Sequence, residues 1–128
     1  MYYLNKTTSL AFSVAEEQIR AALKEVGFGI LTEIDMQGTL KAKIDKDIQP
    51  YKILGACNPK FAYQAVQEEE KIGIMLPCNV TIIDNQNGTV DISIMNPEVA
   101  LKVVENDNIA PFAAEVKSLL ESALSNVE

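Results

Sequence analysis

Gly73-Ile74-Met75-Leu76-Pro77-Cys78-Asn79-Val80-Thr81-Ile82-Ile83-Asp84-Asn85-Gln86-Asn87-Gly88-Thr89-Val90-Asp91-Ile92-Ser93-Ile94-Met95 is the stretch whose pattern decides the fold. Two segments, Ile74 to Ile83 and Thr89 to Met95, are rich in the β-branched residues that fit a pleated, half-buried surface. Between them lies Asn85-Gln86-Asn87-Gly88, and Asn-Gly tolerates the positive φ angles that a tight hairpin needs. An antiparallel pair of strands follows from this stretch alone.

Upstream, Tyr51-Lys52-Ile53-Leu54-Gly55-Ala56-Cys57 reads as a further strand. It runs into Asn58-Pro59, a side-chain acceptor followed by a fixed φ, which predicts a helix start. That helix carries Phe61, Ala62, Ala65 and Val66 to about Lys71, and the acidic run Glu68-Glu69-Glu70 at its end reads as a solvated face. Gly29 to Asp35 alternates Ile30, Thr32 and Ile34 against Leu31, Glu33 and Asp35, the pattern of a half-buried strand. Asp35 is placed to cap a short helix with Leu40 and Ile44, which Gly38 weakens by about 1 kcal/mol relative to Ala.

The chain opens with a strand over Tyr2 to Phe12. Ser13 and Glu16 have capping-box spacing for a helix that places Val14, Ile19, Ala22, Leu23 and Val26 on one face. Gly27 stands where a left-handed cap would end it. Beyond the hairpin, Asn96-Pro97-Glu98 starts a short helix to about Glu105, and Asp107 to Val127 forms a last amphipathic helix with Val116, Leu119, Leu120 and Leu124 inward. Met36, Met75 and Met95 fall on separate elements and read as core fillers.

Together these elements predict an α+β fold: a two-layer sandwich with a mixed, largely antiparallel sheet of about five strands and helices packed on it. At 128 residues and 48% apolar content, residues 1–128 make one domain with a core of its own. The helices are too few to cover both sheet faces, and pairing sheets or edges across a two-fold axis would cover the second.

Composition narrows the function. Eighteen acidic against 11 basic residues leave a net charge of −7, a field that repels phosphate backbones and anionic lipid surfaces. Nucleic acid and membranes are therefore not expected partners. No apolar run reaches the roughly 20 residues of a spanning helix, and no stretch reads as a cleavable signal. Two cysteines beside an adequate core favour a reducing compartment, so a cytoplasmic location is expected. Histidine is absent, which removes the commonest general base and metal ligand. No nucleotide-binding glycine motif or four-cysteine zinc spacing is present, and no cofactor is indicated.

The blocks Gly27 to Asp35, Pro50-Tyr51-Lys52-Ile53-Leu54-Gly55-Ala56-Cys57-Asn58-Pro59 and Gly73 to Val80 closely resemble, in order and spacing, the family catalogued as domain of unknown function 302. The resemblance covers nearly the whole chain. It implies a small bacterial or archaeal α+β domain, commonly a homodimer, with no settled biochemical activity. Cys57 falls at the family's Ala-Cys-Asn-Pro position and Cys78 at its Leu-Pro-Cys-Asn-Val position. Phe61-Ala62-Tyr63 departs from relatives that carry a histidine after the first of these motifs.

The candidate ligand-binding residues are Tyr51, Lys52, Cys57, Asn58, Cys78 and Asn79. Cys57, just before a helix N-terminus, has the placement that can stabilise a thiolate. On neighbouring strands, Cys57 and Cys78 could form a redox pair or two ligands of a soft metal such as zinc or Cu(I), which would need carboxylates or a second subunit to complete its shell. Against both stands plain packing, since free cysteine is among the most buried residue types. Asn58 has a sufficient reason in the helix cap. Asn79, an amide within an apolar strand, marks an edge, a kink or a polar pocket. Tyr51, Lys52 and Glu33 are expected on solvent faces by alternation. No catalytic constellation emerges, and the reading is a homodimeric module that binds a small ligand or a protein partner without covalent chemistry of its own.

Overall fold

Strict alternation along β4 (Cys78–Asp84) and β5 (Val90–Met95) sets the plan of the molecule: Cys78, Val80, Ile82, Val90, Ile92 and Ile94 are buried on one face, and the residues between them lie on the other. The computed structural model describes residues 1–128. The two strands pair antiparallel, with Val80 opposite Ile94 and Ile82 opposite Ile92. Their turn uses positive φ at Gln86 (60°) and Gly88 (86°), and Asn85 N donates to Thr89 O at 3.0 Å.

β1 (Tyr3–Thr8), β2 (Gly29–Asp35) and β3 (Tyr51–Cys57) complete a five-stranded sheet of order β1-β5-β4-β3-β2. Every neighbouring pair is antiparallel. The α+β class is as expected, without the parallel pair that a mixed sheet would contain. Helices α1 (Phe12–Glu25) and α5 (Ala110–Ser125) contact each other, and between them they contact β1, β4 and β5. Ile19 and Leu23 from α1 meet Leu120, Ala123 and Leu124 from α5 over Leu54, Val80, Ile82, Ile92 and Ile94 in the main core. Burying each large aliphatic side chain contributes about 1.5–3 kcal/mol, so this layer supplies most of the folding drive.

The structure departs from expectation at several elements. β1 ends at Thr8, whose Oγ1 accepts from Leu10 N and turns the chain early, so α1 begins at Phe12 with Ala11 as its N-cap and no side-chain cap; Ser13 lies inside the helix. β4 begins at Cys78 and not at Ile74, because Pro77 has no N–H for the ladder and Glu70–Met75 winds into a 3₁₀ turn. β2 is an exposed edge strand with a bulge between Ile30 and Thr32, not a half-buried one; Leu31 is 67% exposed. α3 (Pro59–Glu68) stops short of Lys71.

Other local signals act as read. Gly27 takes φ 92° after α1, Asp35 Oδ1 accepts from Gly38 N at the start of α2 (Met36–Ile44), and Asn96 caps α4 (Pro97–Ala100) by accepting from Glu98 N. Ala65, Ile72 and Ile109 form a second small core, joined by Met75, Leu76, Leu101, Val104 and Phe112. It lies where α3, the 3₁₀ turns Glu70–Met75 and Leu101–Val104 and the start of α5 come together.

Candidate functional site

The two cores leave a cleft between them at the end of β3 and the start of β4. It is partly open to solvent and has a volume of about 50 Å³. Phe28, Ala56 and Cys78 line it from the sheet side, Phe61, Ala62 and Ala65 from α3, and Leu101, Phe112 and Val116 from the segments that follow β5. No charged side chain lines it; its polar side chains are Cys57, Asn58 and Cys78. Three of the six candidate residues thus converge on one apolar space.

Both cysteines are free, Cys57 half-buried and Cys78 buried. The β3–β4 register sets Ala56, and not Cys57, opposite Cys78. The two thiols are therefore neither bonded nor a cross-strand pair, although both border the cleft. Burial pushes the Cys78 thiol up to about 11, with the neighbouring Cys57 adding to the rise, and burial also raises Cys57. The helix start beside Cys57 does not overcome that desolvation. Neither residue has the depressed pKa that marks an attacking thiolate. No three His, Cys, Asp or Glu side chains converge anywhere in the chain, so a single subunit offers no complete metal shell.

Asn58 is the N-cap of α3: its Oδ1 accepts from Lys60 N at 3.2 Å and from Phe61 N at 3.4 Å. The amide Nδ2 has no protein acceptor and lies against Gly27.

The structure places the other candidates elsewhere. Lys52 lies on the helix-covered face and donates to Glu16 Oε1 of α1 at 2.9 Å, with Glu33 at 3.3 Å. Arg20 bridges the same two carboxylates at 2.9 and 2.6 Å. Burial alone would raise the Glu16 pKa, yet hydrogen bonds from Lys52 and Arg20 hold it below the ordinary value; the bond to Glu16 raises that of Lys52 against a smaller opposing effect of burial. Lys52 therefore fastens α1 to the sheet and does not project as a freely solvated group, whereas Glu33, as expected, stays exposed at the edge of the same network. Tyr51 and exposed Asn79 lie on the opposite face, in a wide groove of about 600 Å³ with Tyr2, Tyr3, Asn5, Asp91, Ser93 and Met95. There Asn5 Nδ2 donates to Asp91 Oδ1 (2.6 Å) and to Ser93 Oγ (2.9 Å), and Ser93 Oγ donates to Asp91 Oδ2 (2.9 Å). Sequence reading overlooked this network and the far wall of the cleft; Asp91 interrupts an apolar strand as Asn79 does, and the same criterion would have found it, whereas Asn5 lies in a largely polar strand that gives no such signal.

A family profile described as "Domain of unknown function DUF302" matches residues 4–127. The chain belongs to the DUF302 family. A crystal structure of an uncharacterized conserved DUF302 protein from Bacillus stearothermophilus is similar over all of this chain and 99% of the other, with a TM-score of 0.93 at 25% identity. No curated protein matches the chain. The matched residues include the whole cleft lining and the ion-pair network, and all of the groove except Tyr2 and Tyr3. No helix of this DUF302 chain is long and apolar enough to cross a membrane.

Proposed function

We propose that this protein is a cytoplasmic, homodimeric binding or accessory module, with no covalent chemistry of its own, whose small-ligand site is the cleft beside Cys57, Asn58 and Cys78. One observation carries the reading: the side chains at the family-motif positions border a preformed apolar space in which both thiols are held protonated. A largely apolar cleft with a few polar groups at its edge is the usual form of a small-molecule site. A thiol redox or metal-binding role has less support, because the register offsets the two cysteines and no third ligand approaches them.

The dimer draws support from the second face of the sheet, where Tyr3, Tyr51, Ile83 and Met95 stay only half-buried around the wide groove. A second copy across a two-fold axis would cover this face. Light scattering of the purified protein is expected to give twice the chain mass, and Ile83→Glu to halve it; a wild-type monomer would remove the dimer. Incubation with hydrogen peroxide or glutathione disulfide is expected to show no turnover. Catalytic consumption of either would replace the binding module with a thiol enzyme.

A further inference from the structure

We infer that the wide groove on the open face of the sheet binds a small organic ammonium ion, with the charge against Asp91 and the carbon frame in the tyrosine-lined space beside it. The groove is separate from the cleft, and nothing here depends on what enters the cleft. Three observations carry the assignment.

Asp91 is the only charged side chain lining the groove. It is half-buried, and no salt bridge in the chain reaches it. Its partners are neutral: Asn5 Nδ2 donates to Oδ1 at 2.6 Å and Ser93 Oγ to Oδ2 at 2.9 Å. These bonds orient the carboxylate without bringing positive charge. An ionised carboxyl accepts at about four lone-pair sites, so each oxygen keeps a place for a further donor.

The sheet does not supply that donor. Its strands hold two lysines and no arginine, and both lysines lie on the helix-covered face, Lys6 level with buried Ile92 and Lys52 level with buried Ile82. A second copy seated here across a two-fold axis presents the same strand surface, so it brings another Asp91 and no counter-charge from its own strands. The net charge of −7 adds to the attraction for a soluble cation.

The lining favours an organic cation over a bare ion. Tyr2 and Tyr3 border the groove from the β1 side and Tyr51 from the β3 side, and Asp91 lies on β5 between them. Register sets Tyr51 and Asp91 on either side of Ile83, two strand spacings or about 10 Å apart in one row. Aromatic faces attract cations, and a space of about 600 Å³ is in the usual range for a small molecule. A hard divalent ion is held by clustered oxygen ligands, and no three acidic side chains converge here.

The test titrates benzylammonium chloride and benzyl alcohol, which share a frame and differ in charge, into the purified full chain carrying ¹³C-labelled isoleucine and methionine methyls. Ile83 and Met95 report the groove, and buried Ile19 reports the core. Benzylammonium is expected to shift Ile83 and Met95 saturably and to bind about tenfold more tightly than benzyl alcohol, the gain a charge-assisted hydrogen bond typically brings. Asp91→Asn keeps the side chain's shape and an acceptor for Asn5, and is expected to bring the two ligands within about twofold of each other while Ile19 stays unshifted. Equal binding of the two by the wild type, or a preference that survives Asp91→Asn, would overturn the assignment to Asp91. Equal shifts from magnesium chloride at the same concentration would reduce the effect to counter-ion screening and overturn it as well. Tighter binding of N-acetyl-lysine methylamide than of benzylammonium would give the groove to a partner protein's lysine and overturn the free amine. If neither benzyl compound moves Ile83 and Met95, the inference falls whole, while the cleft and the dimer stand or fall by their own measurements. A monomeric wild type would remove the dimer and leave this test as it is, since the groove lies within one chain.

Discussion

Raising the pH past 9 is expected to destabilise the protein through Cys78 in particular. The folded-state pKa is pushed up to about 11 from an ordinary 9.0, because the thiol is buried against the cleft. In that window the unfolded chain loses this proton while the folded chain retains it, so stability falls as pH rises. The contribution is complete below pH 9 and gone above 11. Two pKa units at 1.36 kcal/mol each give a loss of about 2.7 kcal/mol, a large fraction of a typical 5–15 kcal/mol total. The assay compares urea midpoints of the wild type and Cys78→Ala at pH 8, 9, 10 and 11. Tyrosines and lysines titrate in both proteins, so the difference between the two curves isolates Cys78. The variant should be the less stable at pH 8, where it has lost packing, and gain on the wild type by about 2–3 kcal/mol by pH 11. The same shift leaves about a hundredfold less Cys78 thiolate at pH 7 than an unperturbed thiol would have, and a thiol reagent should be slowed by at least that factor until urea unfolds the chain. Parallel pH curves, or rapid labelling of Cys78 in the native protein at pH 7, would refute the burial argument and return redox chemistry to consideration.

Other parts of the structure make independent predictions. Gly55→Ala would set a Cβ inside contact distance of Thr32 Oγ1 and 2.7 Å from Pro77 Cγ, and should destabilise by about 1–3 kcal/mol in a denaturant titration, with part recovered when Thr32→Ala is added. Because the Glu16 pKa is lowered, its ion pairs contribute fully above the ordinary value of 4.5 and are lost as pH falls through the depressed value; Glu16→Gln should flatten the fall in urea midpoint between pH 5 and pH 3, and an unchanged acid limb would show that Lys52 and Arg20 do not act through it. Asn58→Ala removes the α3 cap and should cost about 1 kcal/mol, whereas Asn58→Asp should cost far less, as thermal melts of the two variants would show.

The parts of the fold that were legible in the sequence are those fixed by neighbours along the chain. β3 was read to the residue, and the hairpin was found from Asn87-Gly88 and the alternation on either side. Helix starts at Asn58-Pro59, Asn96-Pro97 and Asp35 were legible because a cap is a local hydrogen bond. Errors arose where a remote or atypical partner intervened. The Thr8 hydroxyl ended β1 four residues early, and Pro77 kept Ile74 and Met75 out of β4. Edge position, not composition, left β2 exposed.

For the site, the decisive quantity was register, and the chain between β3 and β4 contains a helix and a 3₁₀ turn that leave no local signal of it. A shift of one residue would have set Cys57 opposite Cys78 and favoured a redox pair; the observed pairing sets Ala56 there and makes a cleft wall. Lys52 shows the converse. By parity it shares the inward face with Leu54 and Ala56, a position that an unpaired ammonium cannot occupy cheaply. Its place in the alternation was thus already a signal for an acidic partner on the covering helix, which Glu16 supplies and which no separation of 36 residues along the chain could disclose.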